Sequence, residues 1–341
     1  MIMSKIALLG KTNDELKQIV SELGMPAFTA KQISEWLYKK RAFSIDDMTN
    51  ISVKNRLQLA DHYEVGRNLP IKTVESTDGT KKYLFKTAEG HFVETVYIPE
   101  EDRSTLCVSS QVGCKMGCKF CMTGQQGFVA QLTSTEILNQ ILSIPEADTI
   151  TNIVFMGMGE PFDNTLPLLR SLDILTADYG YAWSPRRITV STIGLIPGIK
   201  VFMGKSNCHL TVSLHSPFPQ DREMLMPIEK TYPLSKVLDE LRKHDFSKQR
   251  RVSFAYIMFE GVNDAMRHAV ELVKILKGID CRVNLVRYHA IPNVDLKPSS
   301  EEKMTFFRDY LTSNGVTATI RHSRGEDISA ACGLLSTAEK G

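Results

Sequence analysis

Residues 105–128 read TLCVSSQVGCKMGCKFCMTGQQGF, in which a short apolar run leads into a loop with Cys114, Cys118 and Cys121. Their spacing, C-x3-C-x2-C, allows three thiols to bind one metal centre. Structural zinc needs four protein ligands in a closed tetrahedron, and iron–sulfur clusters usually take four thiolates. No fourth Cys or His lies close by in the sequence. The motif therefore predicts a metal centre that keeps an open position for chemistry.

A zinc site is the alternative interpretation of these cysteines. It needs a fourth ligand from a distant part of the chain, and His91 and His209 are the candidates. The spacing differs from the paired C-x2-C pattern of most zinc sites, which favours the open metal centre.

From about residue 104 onward, strand-like and helix-like segments alternate. Apolar runs followed by amphipathic stretches predict parallel strands buried on both faces. Six such units predict an α/β fold built as a partial (β/α)6 barrel, with TATIRHS as a candidate for a further strand. The strand candidates are TLCVSS, NIVFMGM, RITVSTI, HLTVSLH, RVSFAYIMF and RVNLVRY, and the helix candidates are TSTEILNQILS, TLPLLRSLDILTA, LSKVLDELRKH, AMRHAVELVKILK and EEKMTFFRDYLTS.

The N-terminal part has a different pattern. Residues 11–63 predict helices, one starting at the Thr and Asn of TNDELKQIVSEL and one capped by Thr29, with Ile33 and Leu37 on a shared face. Turn signals at Asp78-Gly79 and Glu89-Gly90 predict short antiparallel strands. We therefore expect an N-terminal accessory domain at 1–98, with a helical module at 1–65 and strands at 66–98, and a catalytic domain at 99–341.

Composition limits the class of protein. The chain has 341 residues, 43% apolar residues and a formal net charge of +2, which is ordinary for a globular protein. Seven cysteines with three close together do not form a disulfide framework, so we expect the reducing cytoplasm. The opening MIMSKIALLGKTNDELK has too short an apolar run for a signal peptide, and no apolar stretch is long enough to cross a bilayer.

Several polar residues follow the predicted parallel strands. In parallel α/β barrels the functional groups lie at the carboxyl ends of the strands, so we expect these residues to share one opening. A single Ser or His at a strand end is more often a satisfied polar group, and only the repeated pattern favours function. The residues are Gly159, Glu160, Ser191, Ser213, His215, Tyr288 and His289.

Glu94 lies in the alternating segment FVETVYI, on the face that carries Phe92, Val96 and Ile98. A carboxylate on an apolar face is unusual and is often found at functional sites. The simpler interpretation is a glutamate on an edge strand.

The cysteine motif and the blocks around it resemble the RlmN/Cfr family of radical S-adenosylmethionine (SAM) RNA methyltransferases. The similarity covers nearly the whole chain and favours the branch that methylates adenine at C2, although Gln125 replaces the usual Lys of TGKQGF. The Cfr type, which methylates C8, is the nearest alternative. The blocks are VETVYIPEEDRSTLCVSSQVGCKMGCKFCMTG, FMGMGEP, RRITVSTIGLIPGI, SLHSP, MPIEK, VNLVRY and RGEDISAACG.

The resemblance implies a radical SAM barrel and assigns its cofactor residues. Cys114, Cys118 and Cys121 would hold a 4Fe-4S cluster whose free iron binds SAM. Position 289 departs from the family, since many relatives have Asn where this chain has His. The implied SAM contacts are Gly159, Glu160, Ser191, Ser213, Leu214, His215 and His289.

The resemblance also implies a second sulfur system. One SAM methylates Cys332, and a radical made from a second SAM removes a hydrogen atom from that S-methyl group. The methylene radical adds to C2 of adenine, and Cys107 resolves the adduct by thiol exchange, leaving a Cys107–Cys332 disulfide. Either Glu94 or Cys107 removes the C2 proton. Cys208 and Cys281 match no functional position and are expected in packing.

The implied substrates are 23S rRNA in the peptidyl-transferase region and tRNA beside the anticodon. The chemistry implies a flavodoxin- or ferredoxin-type electron donor, and we expect a monomer. A non-catalytic RNA-binding protein held by zinc is the alternative from another class. Basic residues are candidates for phosphate contacts, which position RNA without reading its sequence. They are Lys39, Lys40, Arg41, Arg186, Arg187, Lys248, Arg250, Arg251, Arg321 and Arg324.

Overall fold

The computed structural model describes residues 5–248 and 250–337. The helices are α1 (Asn13–Glu22), α2 (Thr29–Tyr38), α3 (Val53–His62), α4 (Met122–Gln126), α5 (Ser134–Leu142), α6 (Thr165–Thr176), α7 (Ile196–Lys205), α8 (Pro219–Leu225), α9 (Leu234–Leu241), α10 (Met266–Leu276) and α11 (Glu301–Ser313). The strands are β1 (Ile6–Ala7), β2 (Tyr63–Glu64), β3 (Lys72–Glu75), β4 (Lys81–Lys86), β5 (Phe92–Pro99), β6 (Ser104–Cys107), β7 (Gln111–Gly113), β8 (Phe128–Gln131), β9 (Asn152–Phe155), β10 (Ile188–Thr192), β11 (His209–Ser213), β12 (Val252–Met258), β13 (Cys281–Arg287) and β14 (Thr317–Arg321).

One large sheet organises the molecule. Its ten strands lie in the order β14-β13-β12-β11-β10-β9-β6-β5-β4-β3. The strands from β6 to β14 in this order are parallel, whereas β3, β4, β5 and β6 pair antiparallel. The predicted α/β class, the parallel strands and the antiparallel extension are confirmed. Within the described part of the chain β14 pairs only with β13, so the sheet is open.

The parallel strands bury one face more completely than the other. On β13, Val283 and Leu285 are buried, while Asn284 is half-buried and Arg282 is exposed. The same alternation recurs on β9, β10 and β14. The expectation of burial on both faces is therefore confirmed on β6 and in the centre of β11. It is wrong on β9, β10, β13 and β14, where the second face is only partly buried.

The helical module begins as predicted and differs at its second helix. Thr12 caps α1 in a capping box with Glu15. Thr29 does not cap α2, because Phe28 occupies that position and Thr29 is buried in the first turn. A parallel pair formed by β1 and β2, which the sequence did not predict, closes the module.

The domain boundary between residues 98 and 99 stays a prediction. The strands on its two sides, β5 and β6, pair with each other in the large sheet. Both predicted ranges also extend to chain ends that lie outside the described residues.

Helix α7 was missed because Pro197 and Gly198 look like helix breakers. Proline is tolerated in the first turn of a helix. Gly198 is required there, since an added Cβ would lie 2.3 Å from Cβ of Phe162. Across the described residues, no helix has the length and apolar character needed to cross a membrane.

Candidate active site

The cysteine loop is shaped by glycines. Gly113 ends β7 with a φ of 72°, and Gly117 has a φ of 66°, a region that favours glycine. A Cβ on Gly113 would lie 1.8 Å from the carbonyl oxygen of Gly127. Cys114 N donates a hydrogen bond to that same oxygen at 3.0 Å. The loop is thus closed on itself before it reaches the other two cysteines.

The three thiols lie in a shared, largely apolar environment. Cys114 is buried and the other two are half-buried, and they pack with Phe120 and Phe259. Burial raises the pKa of Cys114 to about 12. Burial also raises the pKa of Cys118, and the neighbouring Cys121 and Cys114 raise it further. Three thiols that repel one another as thiolates fit a positively charged metal centre, because metal binding replaces their protons.

The described residues do not form a preformed zinc site. In the described ranges, no three His, Cys, Asp or Glu side chains form a group that could hold a metal ion. His209 lies at the start of β11, and its Nδ1 accepts a hydrogen bond from Arg251 N at 3.0 Å. His91 lies 3.8 Å from Glu89. The thiolates of a 4Fe-4S cluster bind separate irons, so the loop fits such a cluster better than a single zinc ion.

Glu160 follows β9 and is held by three donors. Its carboxylate accepts hydrogen bonds from Thr192 Oγ1 at 2.6 Å, Ile193 N at 2.8 Å and Phe162 N at 3.1 Å. Burial nevertheless raises the pKa of Glu160 to about 7. A cation beside this carboxylate would stabilise its charged form, and the ammonium of SAM has that charge.

Gly159 allows the loop to approach Gln111. Its φ is 94°, and an added Cβ would lie 2.4 Å from Cβ of Gln111. Gln111 Oε1 in turn accepts a hydrogen bond from Glu160 N at 2.7 Å. Gly159 therefore permits the placement of Glu160 beside the cysteine loop.

The ends of β10 and β11 lie side by side. Ser191 pairs with Thr211 in the parallel register of these strands. Ser191 and Ser213 are half-buried, and Leu214 is buried. This edge holds the candidate SAM contacts that follow the strands, as the sequence predicted from their positions.

His215 is fixed as a neutral donor. Its backbone has a φ of 54°, and its Nδ1 accepts a hydrogen bond from Ile257 N at 2.9 Å. Burial, assisted by the charge of Arg222, lowers the pKa of His215 to about 3. The proton of the neutral ring is therefore on Nε2. Phe120 of the cysteine loop packs edge-on against this ring, with centroids 4.8 Å apart.

Both ring nitrogens of His289 contact side chains of the C-terminal segment. Its Nε2 lies 2.9 Å from Ser323 Oγ, and its Nδ1 lies 3.2 Å from a carboxylate oxygen of Glu326. The side chain is buried at the end of β13. The implied role in SAM binding stays a prediction, and the observed contacts connect β13 to the segment that carries Cys332.

The C-terminal segment, residues 322–337, brings Cys332 to the cysteine loop. Met122 N donates a hydrogen bond to the carbonyl oxygen of Gly333 at 2.8 Å. Thr123 Oγ1 donates to Leu335 O at 2.6 Å. Cys332 keeps solvent access, although surrounding protein atoms raise the pKa of its thiol by desolvation and Arg321 lowers it.

Cys107 and Glu94 point to the same side of the sheet. Cys107 pairs directly with Val96 across β5 and β6, and Glu94 lies two residues along β5 on the same face. Burial, and then the neighbouring Cys332, raise the pKa of Cys107 to about 12. Because β5 lies between β4 and β6, the edge-strand interpretation of Glu94 is wrong.

The Glu94 carboxylate is bound on both sides. One oxygen lies 3.4 Å from Lys82 Nζ, and the other accepts a hydrogen bond from Ser336 N at 3.2 Å. Glu94 is 1% exposed. The carboxylate therefore connects the N-terminal hairpin to the segment that carries Cys332.

Most of the predicted RNA-contact residues lie elsewhere. Arg186 and Arg187 precede β10, and Lys248, Arg250 and Arg251 precede β12, at the end of the sheet opposite the cysteine loop. Arg41 forms an ion pair with Asp148 at 2.7 Å, and Arg250 donates to Met203 O at 3.2 Å. Arg321 is exposed at the end of β14, near Cys332.

Sequence reasoning missed two residues that position the site. Arg222 is completely buried between the ends of β10 and β11. Gln126 receives a hydrogen bond from Thr337 N at 3.0 Å and thereby holds the C-terminal segment. Gln126 lies within the motif TGQQGF, so its position in the sequence pointed to a role at the site. Arg222 lies in none of these motifs, and in the sequence it resembles an ordinary surface charge.

Comparison with known proteins identifies the class of protein to which this fold belongs. The family model of the radical SAM superfamily matches residues 108–273. The model described as "Ribosomal RNA large subunit methyltransferase N-terminal domain" matches residues 6–65. The crystal structure of a radical SAM methyltransferase from Sphaerobacter thermophilus is 39% identical, with a TM-score of 0.92, and the match covers 98% of this chain and 100% of that one. The molecule therefore has the fold of a radical SAM methyltransferase.

Two curated relatives narrow the class. The probable dual-specificity RNA methyltransferase RlmN of Phocaeicola vulgatus is 60% identical over 98% of this chain and 96% of its own length. The dual-specificity RNA methyltransferase RlmN of Syntrophus aciditrophicus is 40% identical over 98% of each chain. The chain belongs to the RlmN family of radical SAM RNA methyltransferases. It is an enzyme, and its family implies SAM and a 4Fe-4S cluster as cofactors.

Proposed function

We propose that this enzyme forms 2-methyladenosine in 23S rRNA and in tRNA beside the anticodon. The observation that carries the proposal is the hydrogen bond from Met122 N to Gly333 O. It holds Cys332 against the cysteine loop, so a methyl group on Cys332 would lie close to SAM bound at the loop. The names of the curated relatives support the two classes of RNA substrate.

Cys332 would accept the first methyl group. Its thiolate attacks the methyl carbon of one SAM, and S-adenosylhomocysteine leaves. The positive charge of Arg321 lowers the pKa of Cys332 against the effect of desolvation. A nearby cation therefore favours the thiolate that this displacement needs.

Cys114, Cys118 and Cys121 would hold the 4Fe-4S cluster, with Glu160 and the ends of β10 and β11 around SAM. When bound, the cluster supplies one electron that cleaves a second SAM into methionine and a deoxyadenosyl radical. The apolar side chains of Phe120 and Phe259 surround the loop and would exclude water. The neutral His215 would donate a hydrogen bond from Nε2 to SAM.

Glu94 is the better candidate to remove the C2 proton. The methyl carbon of Cys332, after loss of a hydrogen atom, forms a bond to C2 of adenine. The C2 proton must then leave to a base, and the adduct must give up one electron, for which the oxidised cluster would be the acceptor. Lys82 Nζ lies 3.4 Å from a carboxylate oxygen of Glu94. Cys107 carries its own proton, because its pKa is about 12.

Cys107 would then release the product. Its thiolate attacks the sulfur of Cys332, the carbon–sulfur bond breaks, and the methylene carbon takes a proton to become methyl. The product leaves with a Cys107–Cys332 disulfide in the protein, which a reductant must reopen before the next turnover. The target adenine must leave its base stack to reach Cys332 and the buried Cys107 and Glu94.

The wider setting of the enzyme is part of the same proposal. A flavodoxin- or ferredoxin-type protein would supply the electron, the chain would act as a monomer, and the reaction would take place in the cytoplasm. The N-terminal domain, residues 1–98, would contact RNA.

Mass spectrometry of nucleosides from treated RNA tests the position of methylation. The reconstituted enzyme, incubated with SAM, a reductant and either tRNA or an rRNA fragment, should yield 2-methyladenosine. Appearance of 8-methyladenosine alone would instead establish the Cfr-type reaction. Zinc-loaded protein without iron and without methylated RNA would favour the non-catalytic RNA-binding alternative.

A further inference from the structure

Arg222 is a charged side chain with no exposed surface. It lies on α8, and its guanidinium donates three hydrogen bonds to main-chain oxygens. Nε donates to Leu214 O at 3.1 Å, and the Nη2 group donates to Ile193 O and to Ser213 O, each at 3.0 Å. Nη1 completes the set by binding the buried carboxylate of Glu229.

These three oxygens lie at the carboxyl ends of β10 and β11. Ser213 and Leu214 are themselves proposed SAM contacts. Ile193 N donates to Glu160, the third element of the proposed SAM site. A single planar side chain therefore fixes the relative position of two strand ends and, through Ile193, of Glu160.

A buried ion pair such as Arg222 with Glu229 usually contributes little to the stability of a protein. Pairs of this kind are often replaced by apolar residues without loss of stability, because desolvation offsets their attraction. The planar fork of arginine, however, satisfies several carbonyl oxygens at fixed angles, which an apolar side chain cannot do. The hydrogen bonds of Arg222 thus fix the positions of these carbonyl groups, and this effect is more direct than any contribution to stability.

We infer that Arg222 is a positioning residue, which holds the ends of β10 and β11 in the arrangement that binds SAM. The inference rests on the SAM binding proposed above. It predicts that SAM affinity and SAM cleavage depend on the guanidinium even where folding does not.

The double variant Arg222→Met with Glu229→Gln separates the two roles. Arg222→Met alone leaves the Glu229 charge buried and unpaired, and it should lower Tm. The double variant removes that charge and keeps an amide oxygen that can accept from Leu234 N, the group that Glu229 now binds. We expect its Tm to recover part of the loss caused by Arg222→Met alone, since the buried charge is gone while three carbonyl oxygens still lack their donor. SAM cleavage to deoxyadenosine should stay about 100-fold below wild type, the scale expected for a small misplacement.

Two further variants complete the test. Arg222→Lys keeps the charge without the planar fork and should not restore SAM cleavage. Arg67→Met is the matched control, since Arg67 also donates to main-chain oxygens, among them Leu142 O at 2.8 Å, in the part of the chain away from the site. It should lower Tm and leave the SAM dissociation constant unchanged.

Equilibrium dialysis with SAM and electron paramagnetic resonance of the reduced cluster provide the readouts. The double variant should bind SAM more weakly and lose the spectral change that SAM causes in the wild-type cluster. A double variant with wild-type SAM affinity and spectrum would overturn the role of Arg222 and leave the proposed function intact. Absence of SAM binding by the wild-type protein would refute both.

Discussion

The two thiols of the proposed sulfur pair differ in their surroundings. Cys107 is buried in β6, whereas Cys332 is reached by solvent in the C-terminal segment. Desolvation raises the pKa of both, and only Cys332 has an arginine that opposes this effect. The residue that must be alkylated first is therefore the one with a neighbouring cation that counteracts part of the desolvation.

Release of the RNA adduct should accelerate with rising pH. Burial and the proximity of Cys332 raise the pKa of Cys107 to about 12. Below that value the thiolate fraction of Cys107 grows about tenfold per pH unit, and only the thiolate attacks Cys332. Single-turnover decay of the adduct, followed by denaturing electrophoresis from about pH 7 to about pH 9, measures this dependence. A rate that is independent of pH would contradict the role of the Cys107 thiolate.

Loss of one loop cysteine should abolish iron binding. Cys118→Ala removes one of three proposed thiolates, and no other cysteine lies close enough in the motif to replace it. The absorbance of anaerobically reconstituted protein and its iron content provide the measurement. Cys208→Ala is the matched control, because Cys208 is buried away from the loop and should keep full iron content. Equal iron in both variants would refute the assignment of the loop.

The motif was predictable at the level of single residues because its chemistry is local. Cys114, Cys118 and Cys121 are close in sequence, so their spacing alone indicates a metal centre. Arg222 could not be found in this way, because its partners Ile193 and Glu229 meet it only after β10, β11 and α8 have packed. A charge in an amphipathic segment is usually exposed, and only burial distinguishes this one.

Helix α4 is the element that joins the cysteine loop to the C-terminal segment. It contributes Met122 N, Thr123 Oγ1 and Gln126 to contacts with residues 333–337. The segment is also held on its other side, where Asp78 accepts a hydrogen bond from Gly325 N at 2.9 Å. Cys332 thus lies between two anchored stretches of the same segment.

Gln126→Ala should slow the reaction at Cys332. The change removes the acceptor of Thr337 N and of Ser336 Oγ, which loosens the segment and moves Cys332 away from SAM. Mass spectrometry of the Cys332 peptide after timed incubation with SAM should show several-fold slower methylation. Gln125→Ala is the control on the same helix, since Gln125 is exposed and its side chain donates a hydrogen bond to Lys119 O within the cysteine loop. Equal methylation rates in the two variants would show that the α4 contacts do not position Cys332.

The alternation of strand and helix was sufficient to predict the strands of the sheet. Some of the helices between these strands were not predicted. Helices α5, α6, α9, α10 and α11 have long amphipathic patterns and were predicted. Helix α7 was missed because Pro197 and Gly198 break the pattern, although Gly198 is required by its packing against Phe162. Local propensity therefore fails where tertiary contact determines the residue.

At the scale of the whole molecule, the open sheet brings distant parts of the chain to one opening. The C-terminal segment leaves β14 at one edge and reaches the antiparallel strands near the other edge, where Asp327 accepts a hydrogen bond from Ser76 Oγ at 2.6 Å. This path brings Cys332 close to Cys107 and Glu94, although Glu94 and Cys332 are more than two hundred residues apart in the sequence. Sequence separation hides such a meeting, and the resemblance to a known family was needed to predict it.

Arg321 should contribute one phosphate contact to RNA binding. It is exposed beside Cys332 at the end of β14 and, among the residues described, forms no hydrogen bond or ion pair with an acidic side chain. Arg321→Ala should weaken tRNA binding and reduce the slope of log K against log salt by about 0.7 to 0.9. Arg308→Ala, which removes an exposed arginine paired with Asp309 on α11, should leave that slope unchanged. Identical slopes for the two variants would place the RNA elsewhere.

The most direct test of the sulfur-pair mechanism is the fate of RNA on the Cys107→Ala enzyme. Reconstituted protein is incubated with tRNA, SAM and a reductant, and covalent protein–RNA species are separated by denaturing electrophoresis and mapped by mass spectrometry. The account predicts an adduct joined through Cys332, which accumulates with Cys107→Ala and is absent when Cys332→Ala is added. Release of free methylated RNA by both variants would contradict it.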